Sequence, residues 1–205
     1  NYESFDDMGL SDDLLRGIYS LGFEYPSKIQ KKAIVPLASG FDLIAQSQSG
    51  TGKTGTFSIG SLQVIDPNVN SPQVLILSPT RELAQQTYNV ASELNKYLQY
   101  NIITLVGGKN LNNDFKQLDS GCQMVIGCPG RVFDMLKRFV FKSDKLKLLV
   151  IDEADEMLSR GFKEQIYEIL QYIPEECKVA LFSATIPDEV LEITSKIMKD
   201  PKKIL

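Results

Sequence analysis

The octet Ser47-Gln48-Ser49-Gly50-Thr51-Gly52-Lys53-Thr54 follows the apolar run Leu43-Ile44-Ala45 and precedes a helix-compatible stretch that begins Thr56-Phe57. No other segment restricts the fold as tightly. A strand that hands a glycine-rich turn to a helix N-terminus leaves several backbone N–H groups unpaired and aimed at one point, where a polyphosphate can accept them. In such a P-loop Gly50 and Gly52 permit the curl, Lys53 reaches the outer phosphates and Thr54 offers its hydroxyl to Mg2+. Ser47 stands where the general pattern has glycine, and it is small enough to keep the turn. An ordinary strand-to-helix connection could carry two glycines, but it has no need of a Lys-Thr ending at this spacing.

About a hundred residues later, Leu148-Leu149-Val150-Ile151 reads as a buried strand ending in Asp152-Glu153-Ala154-Asp155. In an open parallel sheet ligands collect outside the carboxyl ends of the strands, so Lys53 and Asp152 are expected in one crevice. There Asp152 would hold Mg2+ directly or through water, and Glu153 would orient and deprotonate an attacking water. Taken alone, the acidic stretch is also what a solvated loop with Asp155 starting a helix would look like.

Short apolar runs alternate with helical patterns: 43–47, 74–78, 102–106, 124–128, 148–152, 179–183 and a final Lys203-Ile204-Leu205. Between them Leu83, Val90, Ala91, Leu94 and Leu98 fall on one helical face, as do Phe162, Ile166, Ile169, Leu170 and Ile173. The order is β/α throughout, so the predicted fold is a parallel sheet with helices on both faces and right-handed crossovers. Asp66 to Pro72 reads as a polar loop, and no repeat or linker interrupts the chain. Before the P-loop, Leu10, Leu14, Leu15 and Ile18 share a helical face, and Ser27-x-x-Gln30 has capping-box spacing.

With 205 residues and 43% apolar content the chain can bury a full core. No run approaches the ~18 apolar residues of a membrane span and no signal-peptide pattern opens the chain, so a soluble intracellular protein is expected. Cys122, Cys128 and Cys177 show no paired spacing, which implies a reducing compartment and no structural metal. The absence of histidine removes the usual serine or cysteine triad, an imidazole base and most zinc sites. The net charge of −4 argues against general polyanion binding, so any nucleic-acid contact must be local. The basic residues Lys137, Arg138, Lys142, Lys145 and Lys147 read as a solvated face.

Taken together, Gly22-Phe23-Glu24-Tyr25-Pro26-Ser27-Lys28-Ile29-Gln30, the P-loop, Pro79-Thr80-Arg81-Glu82-Leu83-Ala84, Gly107-Gly108, Pro129-Gly130-Arg131, Asp152-Glu153-Ala154-Asp155 and Ser183-Ala184-Thr185 resemble one family along nearly the whole chain. That family is the DEAD-box RNA helicases, of which the chain resembles the N-terminal RecA-like domain, most closely in the initiation factor 4A group. The resemblance implies a three-layer RecA-like α/β fold with a mostly parallel sheet of about seven strands, an N-terminal extension over 1–40 packed on a core over 41–205, and ATP with Mg2+ as cofactors.

It further implies a base-binding role for Tyr19, Phe23, Tyr25 and Gln30, with the Gln30 amide matching the donor and acceptor of adenine. Phe5 matches an isolated aromatic used near that site, whereas Tyr25 departs from the polar residue common in relatives. Ser27-x-x-Gln30 reads equally as a helix cap. Pro79, Thr80, Arg81, Gly108, Pro129, Gly130 and Arg131 resemble RNA-facing motifs that grip phosphates, at strand ends where helices begin and where Arg81 and Arg131 add charge, so RNA binding is expected to be sequence-independent. Thr80 is equally suited to an N-cap and Gly107-Gly108 to a tight turn. Cys128 replaces the family's threonine before Pro-Gly-Arg, a loss worth about 1 kcal/mol in cap and contact. Ser183 and Thr185 resemble the motif that couples hydrolysis to strand separation, their hydroxyls expected on the carboxylates of Asp152 and Asp155.

A second RecA-like domain, expected beyond Asp200-Pro201-Lys202-Lys203-Ile204-Leu205, would supply arginines to the γ-phosphate. Such a residue is worth about 10³ to 10⁵ in rate, so the chain alone should bind nucleotide weakly and hydrolyse it barely. The resemblance also implies single-stranded or duplex RNA, a helical-repeat scaffold such as initiation factor 4G, and a cytoplasmic location, or a nuclear one for an exon-junction type of ATP-locked RNA clamp. A DNA translocase or transport ATPase is the competing motor class.

Overall fold

The computed structural model describes residues 2–48, 50 and 52–205. Each apolar run becomes a strand: β1 (Leu43–Gln46), β2 (Val74–Leu77), β3 (Ile102–Leu105), β4 (Met124–Gly127), β5 (Leu148–Ile151), β6 (Lys178–Ser183) and β7 (Lys202–Ile204). They form one sheet in the order β3-β4-β2-β5-β6-β1-β7, and every pairing is parallel.

Strands β1, β2, β3, β4 and β5 end one residue before the expected position. The residue after β1, β2, β4 and β5 still donates inward, Ser47 N–H to Ser183 O, Ser78 to Gly127, Cys128 to Leu105 and Asp152 to Leu77, but the chain then turns out of the ladder. These four residues therefore stand at the carboxyl mouth of the sheet, tethered to the neighbouring strand through their N–H groups.

The helices are α1 (Asp12–Ser20), α2 (Lys28–Ala38), α3 (Lys53–Val64), α4 (Arg81–Leu94), α5 (Leu111–Ser120), α6 (Pro129–Lys137), α7 (Ala154–Ser159), α8 (Lys163–Leu170) and α9 (Asp188–Ile197), preceded by a 3-10 turn at Phe5–Met8. Strand alternation sorts the core into two layers. Leu43, Ala45, Val74, Ile76, Val150 and Phe182 pack with the helices α1 to α4, while Leu75, Leu77, Val125, Leu149, Ile151 and Leu181 pack with α5 to α9. The result is the expected three-layer α/β arrangement.

The segment ahead of β1 shares this core, because Phe5, Leu14, Ile18, Ile34 and Leu37 are buried in the same cluster as β1 and β2. Helix α1 approaches α4 so closely that a side chain at Gly17 would strike the Leu94 carbonyl. The capping box of α2 forms: Ser27 N–H donates to Gln30 Oε1 at 2.8 Å and Gln30 N–H to Ser27 Oγ at 3.4 Å. The buried face of α4 is Ala84, Thr87, Ala91 and Leu94, which keeps Ala91 and Leu94 of the predicted set and adds Ala84 and Thr87. Leu83 and Val90 turn toward a crevice described below, and Leu98 lies past the helix end. The loop at 66–72 is ordered by buried Gln73, which accepts from Asp66 N–H at 2.7 Å and donates to the carbonyls of Asp66 and Val69.

Candidate nucleotide site and nucleic-acid face

The P-loop runs from β1 into α3, with Gly50 and Gly52 at φ of +78° and +91°, the left-handed backbone that the turn requires. Ser47 fits in glycine's stead because it is 93% enclosed, at 7% exposure, and tied to Ser183 through its N–H. Gln48 is exposed at the turn's entry. Ser49 and Thr51 lie outside the described residues.

Lys53 opens α3, where the positive end of the helix dipole disfavours a cation, yet it is only 6% exposed. Two carboxylates compensate: Lys53 Nζ donates to Asp152 Oδ1 at 2.9 Å and stands 3.3 Å from Glu153 Oε2. Burial raises the Asp152 pKa from the usual carboxylate range, and the Lys53 charge pulls against it. Glu153 caps α7 from φ 50°, ψ 54°, a left-handed conformation costly for a glutamate and typical of strained functional positions. Strand β6 lies between β1 and β5, so the lysine and the carboxylates reach across one intervening strand end.

These groups share a crevice of about 380 Å³ with Phe23, Gly52, Thr54 and Gly55. Its remaining wall is α4, through Leu83, Gln86, Thr87 and Val90. The sequence pattern put Leu83 and Val90 on one helical face with Ala91 and Leu94 and passed over Gln86 and Thr87. The i, i+3, i+4 spacing of these four was the available signal.

At the base end, Gln30 is buried at 4% exposure, and its Nε2 donates to Gly52 O at 3.3 Å while its Oε1 serves the cap. An amide has two donors and two acceptor sites, so one of each remains for a base edge. Cap and base contact are thus compatible in one side chain. Phe23 stacks on buried Phe5 with centroids 6.4 Å apart and planes 20° from parallel. Tyr19 does not line the crevice: it meets the edge of Phe5 at 6.2 Å, and its hydroxyl donates to Asp6 at 3.0 Å. Tyr25 is 79% exposed and contributes no wall to the crevice.

Of the contacts expected of Ser183 and Thr185, the one to the Asp155 carboxylate forms and the one to Asp152 does not. Thr185 donates to Asp155 Oδ2 through both hydroxyl and N–H, at 2.8 and 3.1 Å. Ser183 Oγ accepts from Asp155 N–H at 3.1 Å and donates to Thr185 O at 2.6 Å. Neither hydroxyl bonds Asp152, whose near oxygen already belongs to Lys53. Burial would raise Asp155, but the hydroxyls of Thr185 and Ser183 and two backbone N–H groups hold its pKa below the usual carboxylate value.

On the adjoining face Thr80 caps α4 by accepting from Leu83 N–H, and Pro129 and Gly130 open α6. Cys128, the residue before Pro129, makes no side-chain cap, and burial pushes its thiol up to about 11. Gly107-Gly108 does not start a helix, because α5 begins at Leu111 with Asn110 as its cap. Arg81 is exposed and donates to Gly107 O, whereas Arg131 is tied to the carboxylate of Asp114 and to Lys109 O. The charge expected of Arg131 on this face is therefore largely neutralised within the protein.

An all-parallel sheet with a P-loop, acidic residues at the mouth of β5 one strand away, and a buried Gln30 packed on the loop defines a P-loop nucleotide-binding domain of the RecA-like kind. The family model for DEAD/DEAH box helicases matches residues 27–193. The chain is 54% identical over 203 residues to the ATP-dependent RNA helicase eIF4A of Mycosarcoma maydis and 55% identical to that of Chaetomium globosum, covering 99% of this chain and 49% and 51% of those proteins. Among solved structures, a DEAD box protein from Methanococcus jannaschii superposes with TM-score 0.95 at 36% identity, over 99% of this chain and 56% of that one. A S. cerevisiae Dbp5 variant bound to RNA and ADP BeF3 superposes at 0.89 with 37% identity, over 100% and 52%. The chain belongs to the DEAD/DEAH box helicase family, and it spans about half the length of the curated relatives it matches.

Proposed function

We propose that this chain is the ATP-binding half of an ATP-dependent RNA helicase that serves translation initiation in the cytoplasm. The observation that carries the reading is the buried Lys53–Asp152 pair at 2.9 Å, with Glu153 beside it, at the mouth of a P-loop crevice. The name of the eIF4A relatives supports the translation role.

The donor set fits Mg2+, since Asp152 supplies a buried carboxylate and the Thr54 hydroxyl has no hydrogen-bond partner among the described residues. Bound there, the ion would offset charge on the β- and γ-phosphates. Lys53 exchanges its carboxylates for phosphate oxygens when ATP enters, which leaves Asp152 for the ion and Glu153 for water. Gln30 and Phe23 hold the base. Asp155, Ser183 and Thr185 join the mouths of β5 and β6, so a change at Glu153 is felt at the start of α9. A second RecA-like domain closes the cleft over ATP and RNA, and a helical-repeat scaffold of the initiation factor 4G type orients the two halves.

The test is the ATPase of the complete protein with single-stranded RNA or DNA as stimulator, together with binding of a fluorescent ATP analogue. Stimulation by RNA alone, with binding abolished in Lys53→Ala, is expected. Equal stimulation by DNA would overturn the RNA assignment, and unaltered analogue binding by Lys53→Ala would overturn the site.

A further inference from the structure

Asp114 and Arg131 form an ion pair whose side chains are 3% and 11% exposed, away from the nucleotide crevice. Each would be costly to bury alone, and the pairing divides the arginine fork between a carboxylate and a backbone carbonyl. The second arm of Arg131 donates to Lys109 O at 3.1 Å, and from the opposite side Arg81 donates to Gly107 O at 3.1 Å. Two arginines at helix starts thus hold the carbonyls flanking Gly108, whose φ is +82° and where a side chain would run into the Arg81 guanidinium.

In a trans peptide the C=O and the following N–H point in opposite directions. Fixing the carbonyls of Gly107 and Lys109 on the arginines therefore turns the N–H groups of Gly108 and Asn110 away from them. Both residues are exposed, and neither N–H has an acceptor among the described residues. We infer that Asp114 is a positioning residue for nucleic-acid binding: through Arg131 it sets the peptide planes of the 107–110 turn so that the N–H groups of Gly108 and Asn110 receive a phosphate. Arg131 is then a strut, in place of the direct phosphate contact expected from its motif. This rests on the RNA-binding reading above.

The experiment uses the complete protein with a non-hydrolysable ATP analogue and a labelled oligouridylate at several salt concentrations. Asp114→Asn removes a negative charge, which on simple electrostatics would tighten RNA and steepen its salt dependence. Positioning gives the opposite result: affinity about ten-fold weaker with the salt slope unchanged. Unchanged or tighter binding overturns the inference. Should Asp114→Asn fail to bind the analogue, Arg131→Lys decides, because lysine keeps the charge but cannot divide a fork. About a ten-fold loss supports the strut, and wild-type affinity overturns it. Should the wild-type protein not bind RNA, the RNA reading falls, and backbone relaxation then tests the positioning claim by itself. Gly108 and Asn110 amides with order parameters near 0.85 in the wild type and below about 0.6 in Asp114→Asn support it, and equal rigidity overturns it.

Discussion

The Lys53 ammonium lies 2.9 Å from the Asp152 carboxylate although 99 positions separate them in the chain. Side chains 8% and 2% exposed leave neither ion a solvent alternative. Lys53→Met should lower stability by about 3–5 kcal/mol, because it strands a buried carboxylate. Adding Asp152→Asn should recover much of that loss without restoring nucleotide binding. Urea denaturation and analogue binding measure the two effects. The penalty has a pH sign: an acid with a raised folded pKa destabilises above that value and not below the unfolded one. The single variant and the wild type should therefore converge in stability as pH falls.

Glu153→Gln keeps side-chain volume and the cap position of α7 but removes the carboxylate proposed as the base. In the complete protein RNA-stimulated ATPase should fall about 10² to 10⁴-fold with ATP affinity retained, as read by steady-state turnover beside equilibrium binding. Normal turnover would remove Glu153 from its role.

Cys128→Thr supplies the side-chain cap that α6 lacks. A gain of about 1 kcal/mol in stability and tighter RNA binding are expected, measured by denaturation and by oligouridylate titration. A thiol-to-hydroxyl change that left both untouched would show that this cap does not matter.

The Asp155–Thr185 contact should be sensitive to acid. A lowered folded pKa contributes stability above the unfolded value of about 3.8, and that contribution disappears as pH falls through the folded value. Thr185→Val removes one donor, so the carboxyl should titrate at higher pH. NMR titration of the Asp155 side chain follows this directly.

Ser78 is fully buried at the end of β2, and its hydroxyl has no partner among the described residues. Ser78→Ala should raise stability by about 1 kcal/mol, since it removes an unsatisfied polar atom without opening a large cavity. Thermal denaturation of the two proteins provides the comparison.

The strands were legible because both faces of a parallel sheet are buried, which makes them continuous apolar runs such as Leu148–Ile151. Lys53 and Asp152 were legible because strand mouths of such a sheet converge. Asp114 was not: within Asn112-Asn113-Asp114-Phe115 it reads as a polar surface residue of a helix. Only the adjacency of β3 and β4 places the starts of α5 and α6 side by side. Leu83 and Val90 misled for a related reason, since helical periodicity marks apolar residues without saying which wall they face. That neither hydroxyl of Ser183 and Thr185 reaches Asp152 depended on where Lys53 had already been spent.

At Gly52 and Gly55 an added Cβ would displace the base-end side chains: it would lie 2.6 Å from Ser27 Oγ at the first and 2.9 Å from Gln30 Nε2 at the second. The Gln30 side chain proposed to hold the base and the P-loop backbone at Gly52 and Gly55 are therefore mechanically one part. On the proposed reading, a nucleotide carrying the wrong base would shift Gln30 and with it the backbone that holds the triphosphate, so base selectivity should be expressed in catalysis as much as in affinity.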